Sequence, residues 1–267
     1  TAAPIKIVAK SKTKIEKEEG EKINIRLTRN AFSRGTNKKE VIDFFYHDDP
    51  NKDFRDHMED YHFIKLDLIP DNKMKISYLG LYDGFGGDSV VIHIKDNMHK
   101  ILIDCLKNKG QTKYEDILKD FFSKADSQLE KEKVENAENC GTTATVCLLI
   151  DEILYVANVG NSTAFLITNN KKIDKISTDH DCKVKEEVDR IKSKGGMVFK
   201  QRVFGALSLT RCLGDLSFKE YGVLCEPSIN TINLKQGSYT LVIASDGVWD
   251  VLTEENIVDI LNKAYPF

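Results

Sequence analysis

Ile76-Ser-Tyr-Leu-Gly-Leu-Tyr-Asp-Gly-Phe-Gly-Gly87 decides how this chain folds. An apolar run of strand length ends at one carboxylate, Asp83. Glycines follow at 84, 86 and 87, and a helical pattern begins near Asp88. Strand, carboxylate, glycine turn and helix together bring a charged side chain to the mouth of a buried sheet. Glycine there permits positive φ and close approach of a ligand to the backbone. An Asp-Gly pair at a strand end also reads as a plain turn, so the stretch needs support from elsewhere in the chain.

Two segments supply it. Tyr239-Thr-Leu-Val-Ile-Ala-Ser245 is a second buried strand, and it too runs into Asp-Gly, at Asp246 and Gly247. Upstream, Asp53-Phe-Arg-Asp-His-Met-Glu-Asp60 precedes an apolar alternation from His62 to Leu68, which predicts a strand with Glu59 and Asp60 at its start. Charged residues suit a strand edge. They also suit oxygen ligation of a hard cation, with Arg55 presenting a planar fork to an anion. Carboxylates gathered in one cleft repel unless cations neutralise them, and hard oxygen donors favour magnesium or manganese. An Asp bridging two such ions suits phosphoryl transfer. No catalytic triad, nucleophile elbow or P-loop pattern is present.

The remainder frames these segments. Val90, Val91, Ile94, Met98, Ile101, Leu102 and Cys105 recur at helical spacing, as do Ile117, Leu118, Phe121, Phe122, Ala125 and Leu129. Thr112 and Glu115 form an expected capping box for the second helix. Cys140–Ile150, Ile153–Val159 and Ala164–Thr168 read as three strands of an antiparallel meander. A short helix over Val184–Lys194 stops at Gly195-Gly196, and Thr253 caps a last helix. Residues 1–45 read as a charged extension with room for a first strand, and 46–267 as one domain. A net charge of −3 and a pI near 6.1 argue against nucleic acid or an anionic membrane surface as partner. No apolar run is long enough to span a bilayer. Six scattered cysteines without a C-x-x-C pair read as reduced thiols, and the start lacks a secretion signal. A cytoplasmic or nuclear location is therefore expected, and the Asn161-Ser-Thr163 acceptor pattern is discounted.

Seven short motifs in order carry a resemblance. They are Arg55-Asp-His-Met-Glu-Asp60, Tyr82-Asp-Gly-Phe-Gly-Gly87, Cys140-Gly-Thr-Thr-Ala144, Ala157-Asn-Val-Gly-Asn-Ser162, Thr178-Asp-His180, Leu207-Ser-Leu-Thr-Arg-Cys-Leu-Gly-Asp215 and Ala244-Ser-Asp-Gly-Val-Trp-Asp250. The series resembles the metal-dependent serine/threonine protein phosphatases of type 2C, from about residue 53 to 252. The resemblance implies an α+β fold, a four-layer α-β-β-α sandwich of two antiparallel sheets flanked by helices. It implies two Mg2+ or Mn2+ ions, phosphorylated proteins as substrates and a monomer. By position, Asp83 bridges both ions, the Gly84 carbonyl binds one and Asp246 the other. Glu59 and Asp60 act mainly through metal-bound waters, and Arg55 holds the substrate phosphate.

Three departures qualify the expected activity. The family turn reads Asp-Gly-His-Gly-Gly, and its His is a candidate general acid. Here the position is Phe85, which donates no proton. Asn161 stands where the family carries an Asp used at a third metal position. The family's closing Asp-Asn pair, whose Asp is a ligand, is not found before Phe267. Either the domain continues past Phe267 or the site lacks that ligand. His57 and His180 lie in matching motifs as substitute acids, though a lone His is more often structural. Two readings follow: a phosphatase that retains Arg55, Asp83, Gly84 and Asp246, or a pseudophosphatase that binds phosphoproteins.

Overall fold

The computed structural model describes residues 5–10, 42–47, 58–70, 74–168, 172–234 and 237–264. In chain order the strands are β1 (Ile5–Lys10), β2 (Ile42–His47), β3 (Asp60–Lys65), β4 (Ile76–Phe85), β5 (Gly141–Thr142), β6 (Ala144–Ile150), β7 (Ile153–Val159), β8 (Thr163–Thr168), β9 (Ile173–Lys175), β10 (Val198–Phe199), β11 (Arg202–Val203), β12 (Leu213–Gly214), β13 (Ser228–Asn233) and β14 (Tyr239–Ala244). The helices are α1 (Ser89–Lys107), α2 (Tyr114–Lys131), α3 (Lys185–Ser193), α4 (Asp246–Trp249) and α5 (Glu254–Ala264). A 3-10 segment covers Leu216–Tyr221.

These elements form two compact units, each assembled from separate stretches of chain. One draws on Thr1–Met58, Thr163–Ile176 and Lys235–Phe267, the other on Glu59–Ser162 and Ser177–Leu234. The first unit holds a sheet ordered β2-β1-β14-β8-β9. In it β1 runs parallel to both β2 and β14, while β8 and β14 are antiparallel. Val242, Ala244 and Ile167 of this sheet pack with Val248, Leu252, Ile257 and Leu261 of α4, α5 and the turn between them. Trp249 donates its indole N–H to the Ala244 carbonyl at 2.8 Å, which pins α4 to the end of β14.

The second unit holds a sheet ordered β12-β5-β4-β6-β7-β13, with β3 also paired to β4. All its pairings are antiparallel. β4 is buried along nearly its whole length, which is why its sequence is a continuous apolar run rather than an alternation. The expected apolar faces of α1 and α2 are buried: Val90, Val91, Ile94, Met98 and Leu102 on one, Ile117, Leu118, Phe121, Phe122, Ala125 and Leu129 on the other. They share a core with Tyr78, Tyr82, Val146 and Leu148 of the sheet. Each Val, Leu, Ile, Met or Phe side chain among these that is removed from water contributes about 1.5–3 kcal/mol.

Three local expectations are corrected. β4 does not stop at Asp83 but continues through Phe85, because Gly84 and Phe85 find partners in Thr142 and Gly141 of β5. The three-strand meander does not form. β6 and β7 pair, but β13 occupies the far edge of β7, and β8 pairs with β14 in the other unit's sheet. The Thr112–Glu115 capping box is also missing. α2 begins at Tyr114 after Lys113 with no side-chain cap, and Glu115 accepts a hydrogen bond from Thr231 at 3.0 Å instead. Thr253 does cap α5, exchanging hydrogen bonds with Asn256 in both directions. Among the described residues no helix is long and apolar enough to cross a membrane. All six cysteines are free thiols.

Candidate active site

The register of β3 on β4 places Asp60 directly opposite Asp83. Residues directly opposed on antiparallel strands share one face, with Cβ atoms about 4.5–5.5 Å apart. Both carboxylates are buried, at 3% and 5% exposure. The neighbouring chain is locked by its own backbone: the Gly84 N–H donates to the Glu59 carbonyl at 2.8 Å. A Cβ on Gly84 would lie 2.8 Å from that carbonyl oxygen and 2.7 Å from Cγ1 of Val91. The glycine after Asp83 is therefore required by close approach of two strands and α1, independently of any ligand.

The turn that follows is clamped from both sides. Glu59 Oε1 accepts the Gly87 N–H at 3.0 Å. The Cys140 thiol donates to the Gly86 carbonyl at 2.8 Å and accepts from the Asn136 amide at 3.0 Å. Burial pushes the Cys140 thiol above its ordinary pKa, which keeps it a donor. Glu59 thus orients the turn through its carboxylate and the strand through its carbonyl.

Phe85 lies two residues beyond Asp83 on the same strand face. Its ring fills the space left by Gly141, where an added Cβ would sit 2.5 Å from the ring tip. It packs against the apolar cluster of Cys182, Ile191, Val203, Leu207, Leu209, Cys212 and Val223. The phenyl thus joins the sheet to this outlying cluster.

His180 is 1% exposed, and its Nε2 lies 2.8 Å from the Ser228 hydroxyl. Burial, then the Arg211 charge, lower its pKa to about 4. It is a neutral, enclosed side chain in the second unit, as a structural histidine should be. Asn161 is half-buried on the turn between β7 and β8. Asp246 belongs to the first unit, where it opens α4 directly after Ser245. Arg55 and His57 lie outside the described residues.

Of the expected ligands, the structure brings Asp60 and Asp83 face to face, while the Glu59 carboxylate is turned to the Gly87 N–H of the adjoining turn. Among the described residues no group of three or more His, Cys, Asp or Glu converges as a preformed ion site. The donor chemistry of the Asp60–Asp83 pair nevertheless fits a hard divalent cation: two buried carboxylates face each other, and such oxygens are what magnesium and manganese take.

Two features escaped the sequence reading. Thr143 lies inside a recognised motif, yet nothing in the sequence gave it a role. Its hydroxyl accepts the Asp83 N–H at 3.1 Å. The second is Glu187, 4% exposed, which receives Arg190 Nη1 and Arg211 Nη2 at 2.6 Å each, together with the Thr210 hydroxyl at 2.8 Å. Burial pushes its carboxyl up, but hydrogen bonds from Arg211, Arg190 and Thr210 outweigh that and bring it to about 2. Arg211 stood in a quoted motif, but its partner is 24 residues away.

A family model described as protein phosphatase 2C matches residues 46–265. The chain belongs to the protein phosphatase 2C family. A rice (Oryza sativa) protein named "Probable protein phosphatase 2C 45" is 33% identical over 235 residues, covering 86% of this chain and 80% of its own length. The phosphatase 2C fold is also that of solved structures. The serine-threonine phosphatase 2C of Toxoplasma gondii aligns with a TM-score of 0.68 at 22% identity, over 79% of this chain and 80% of its own. A C. elegans sex-determining protein aligns with a TM-score of 0.71 at 23% identity, over 79% of this chain and 54% of its own. Membership in the protein phosphatase 2C family makes the chain a protein serine/threonine phosphatase, a hydrolase, with the α+β fold expected from its motifs.

Proposed function

We propose that this phosphatase hydrolyses phosphoserine and phosphothreonine in proteins with the aid of two bound divalent cations, magnesium or manganese. The buried, directly opposed Asp60–Asp83 pair is the observation that carries this reading. Bound cations would supply a nucleophile from water at neutral pH and neutralise charge on the phosphoryl oxygens. Asp83 and the Gly84 carbonyl would hold them, with Glu59 and Asp60 around them. Arg55 would orient the substrate phosphate by a bidentate grip. The test is turnover of an aryl phosphate and of a phosphopeptide with manganese, each with and without a chelator. Turnover of both that the chelator abolishes supports the reading. Failure on both with manganese bound would favour a phosphoprotein-binding module.

Phe85 sets the first expected outcome. An alkoxide-like leaving group needs a proton that an aryl leaving group needs far less, so activity on aryl phosphate should exceed that on phosphopeptide. Phe85→His should narrow the gap, by at most the roughly 10²–10⁴-fold that a positioned acid contributes. It should also lower stability by about 1–2 kcal/mol, since a phenyl leaves an apolar cluster. Equal rate gains on both substrates would refute the missing-acid account.

Asn161→Asp is expected to add divalent-ion binding, because a carboxylate is a better hard ligand than an amide. Calorimetry should show higher manganese stoichiometry or affinity. An unchanged titration would place the turn out of reach of any ion.

A further inference from the structure

We propose that Thr143, backed by Ser162, is a positioning residue that holds the backbone of Asp83 in the geometry that binds the cation; this rests on the metal-dependent reading above. β4 keeps one unbroken register from Ile76↔Ile150 of β6 to Phe85↔Gly141 of β5. At Asp83 one rung is changed. Its carbonyl accepts the Thr143 N–H at 2.9 Å, as a ladder requires. Its N–H goes to the Thr143 hydroxyl at 3.1 Å rather than to the Thr143 carbonyl. That carbonyl is turned to the Thr142 hydroxyl at 2.8 Å. The strand is thus interrupted between β5 and β6 at the residue facing the central carboxylate, and a side chain completes it.

The substitution is built into the core. Thr143 is 2% exposed and Ser162 0%. Their hydroxyls are 2.8 Å apart. The Ser162 carbonyl accepts the Thr145 hydroxyl at 2.7 Å. Gly160 takes φ +90, and a Cβ there would meet Thr143 Cγ2 at 2.6 Å, so the Gly160–Ser162 turn closes tightly onto Thr143. A relay runs from the Asp83 N–H through two buried hydroxyls to the turn that carries Asn161. A buried N–H must be satisfied, and an ordinary ladder carbonyl would do so. A hydroxyl does so with a rotatable, adjustable acceptor, and it ties the carboxylate's backbone to a second loop of the site. Groups that orient ligands from behind typically cost 10–100-fold in metal affinity when removed.

The experiment compares wild type, Thr143→Val, Thr143→Ser and Ser162→Ala. Manganese affinity is read by calorimetry, and exchange of the Asp83 amide proton is read without metal. Thr143→Val keeps the shape and removes the acceptor. It should weaken manganese binding by roughly tenfold or more and accelerate Asp83 amide exchange. Thr143→Ser should restore both, and Ser162→Ala should fall between. Manganese affinity in folded Thr143→Val equal to wild type would overturn the proposal, leaving a structural hydroxyl only. If Thr143→Val fails to fold, Ser162→Ala decides: unchanged affinity and unchanged Asp83 exchange overturn the proposal, and a loss of both supports it. Wild type that binds no manganese would defeat the metal-dependent reading itself and this proposal with it. Binding by wild type with no variant effect would defeat the proposal alone.

Discussion

Asp83→Asn loses on the order of 10³-fold or more in kcat/KM on both aryl phosphate and phosphopeptide, with manganese present. Asp83 and Asp60 are opposed and buried, and an amide at position 83 halves the charge that draws a cation there. Cation stabilisation of a phosphoryl transition state is worth several kcal/mol, and each 1.36 kcal/mol is tenfold in rate. The fold should tolerate the change. The hydrogen bonds of the Asp83 backbone to Thr143 survive an isosteric side chain. Without metal, the midpoint of thermal unfolding should shift by no more than about 4 °C, equivalent to ~1 kcal/mol for a chain of this size. Activity within tenfold of wild type would remove Asp83 from the centre of the site. Wholesale unfolding would make its role structural.

Glu187→Gln is the variant expected to unfold most readily. Glu187 sits between two guanidinium groups inside the second unit. Arg190 Nη2 donates to its Oε2 at 2.8 Å, and Arg211 Nε lies 3.1 Å from the same oxygen. A glutamine would turn N–H donors toward guanidinium donors and leave two partly buried cations without an anion. Removing one partner of a buried ionic group costs about 3–5 kcal/mol, a fall of about 10 °C or more in the unfolding midpoint. The pH profile adds a second readout. The Glu187 pKa falls from an ordinary 4.5 to about 2 on folding. Its stabilisation is therefore complete above pH 4.5 and is lost as pH falls through 2. His180 moves from 6.5 to about 4, so folding favours its neutral form. Protonation below 6.5 therefore favours the unfolded chain, and the erosion continues until pH 4. Wild type should thus lose stability on both limbs. Glu187→Gln should lose only the lower one, and an unchanged profile below pH 4.5 would remove Glu187 from that acid limb.

Much of this was written in local sequence. Apolar spacing placed α1, α2 and β4 because burial on one helical face, or on both faces of a strand, leaves a periodic or continuous apolar trace. Asp60 and Asp83 are legible as site residues from the motif series around them and from the second strand that runs into Asp-Gly, whereas a carboxylate at one strand end by itself also reads as a turn or an edge. Thr253 as a cap was legible for the same local reason: its partner, Asn256, is three residues away. Partners distant in sequence were not legible. Nothing local says that β8 leaves β7 for β14, since that depends on which strand takes the free edge of β7. Nor does it say that Phe85 would find the space above Gly141, that Glu115 would turn from its own helix end to Thr231, or that Thr143 would replace a ladder carbonyl. Sequence by itself determined the elements and the chemistry available, because periodicity and residue type are properties of short segments. Tertiary structure alone decided which groups meet, because a contact between distant residues is set by the packing of the whole sheet and leaves no period in the chain.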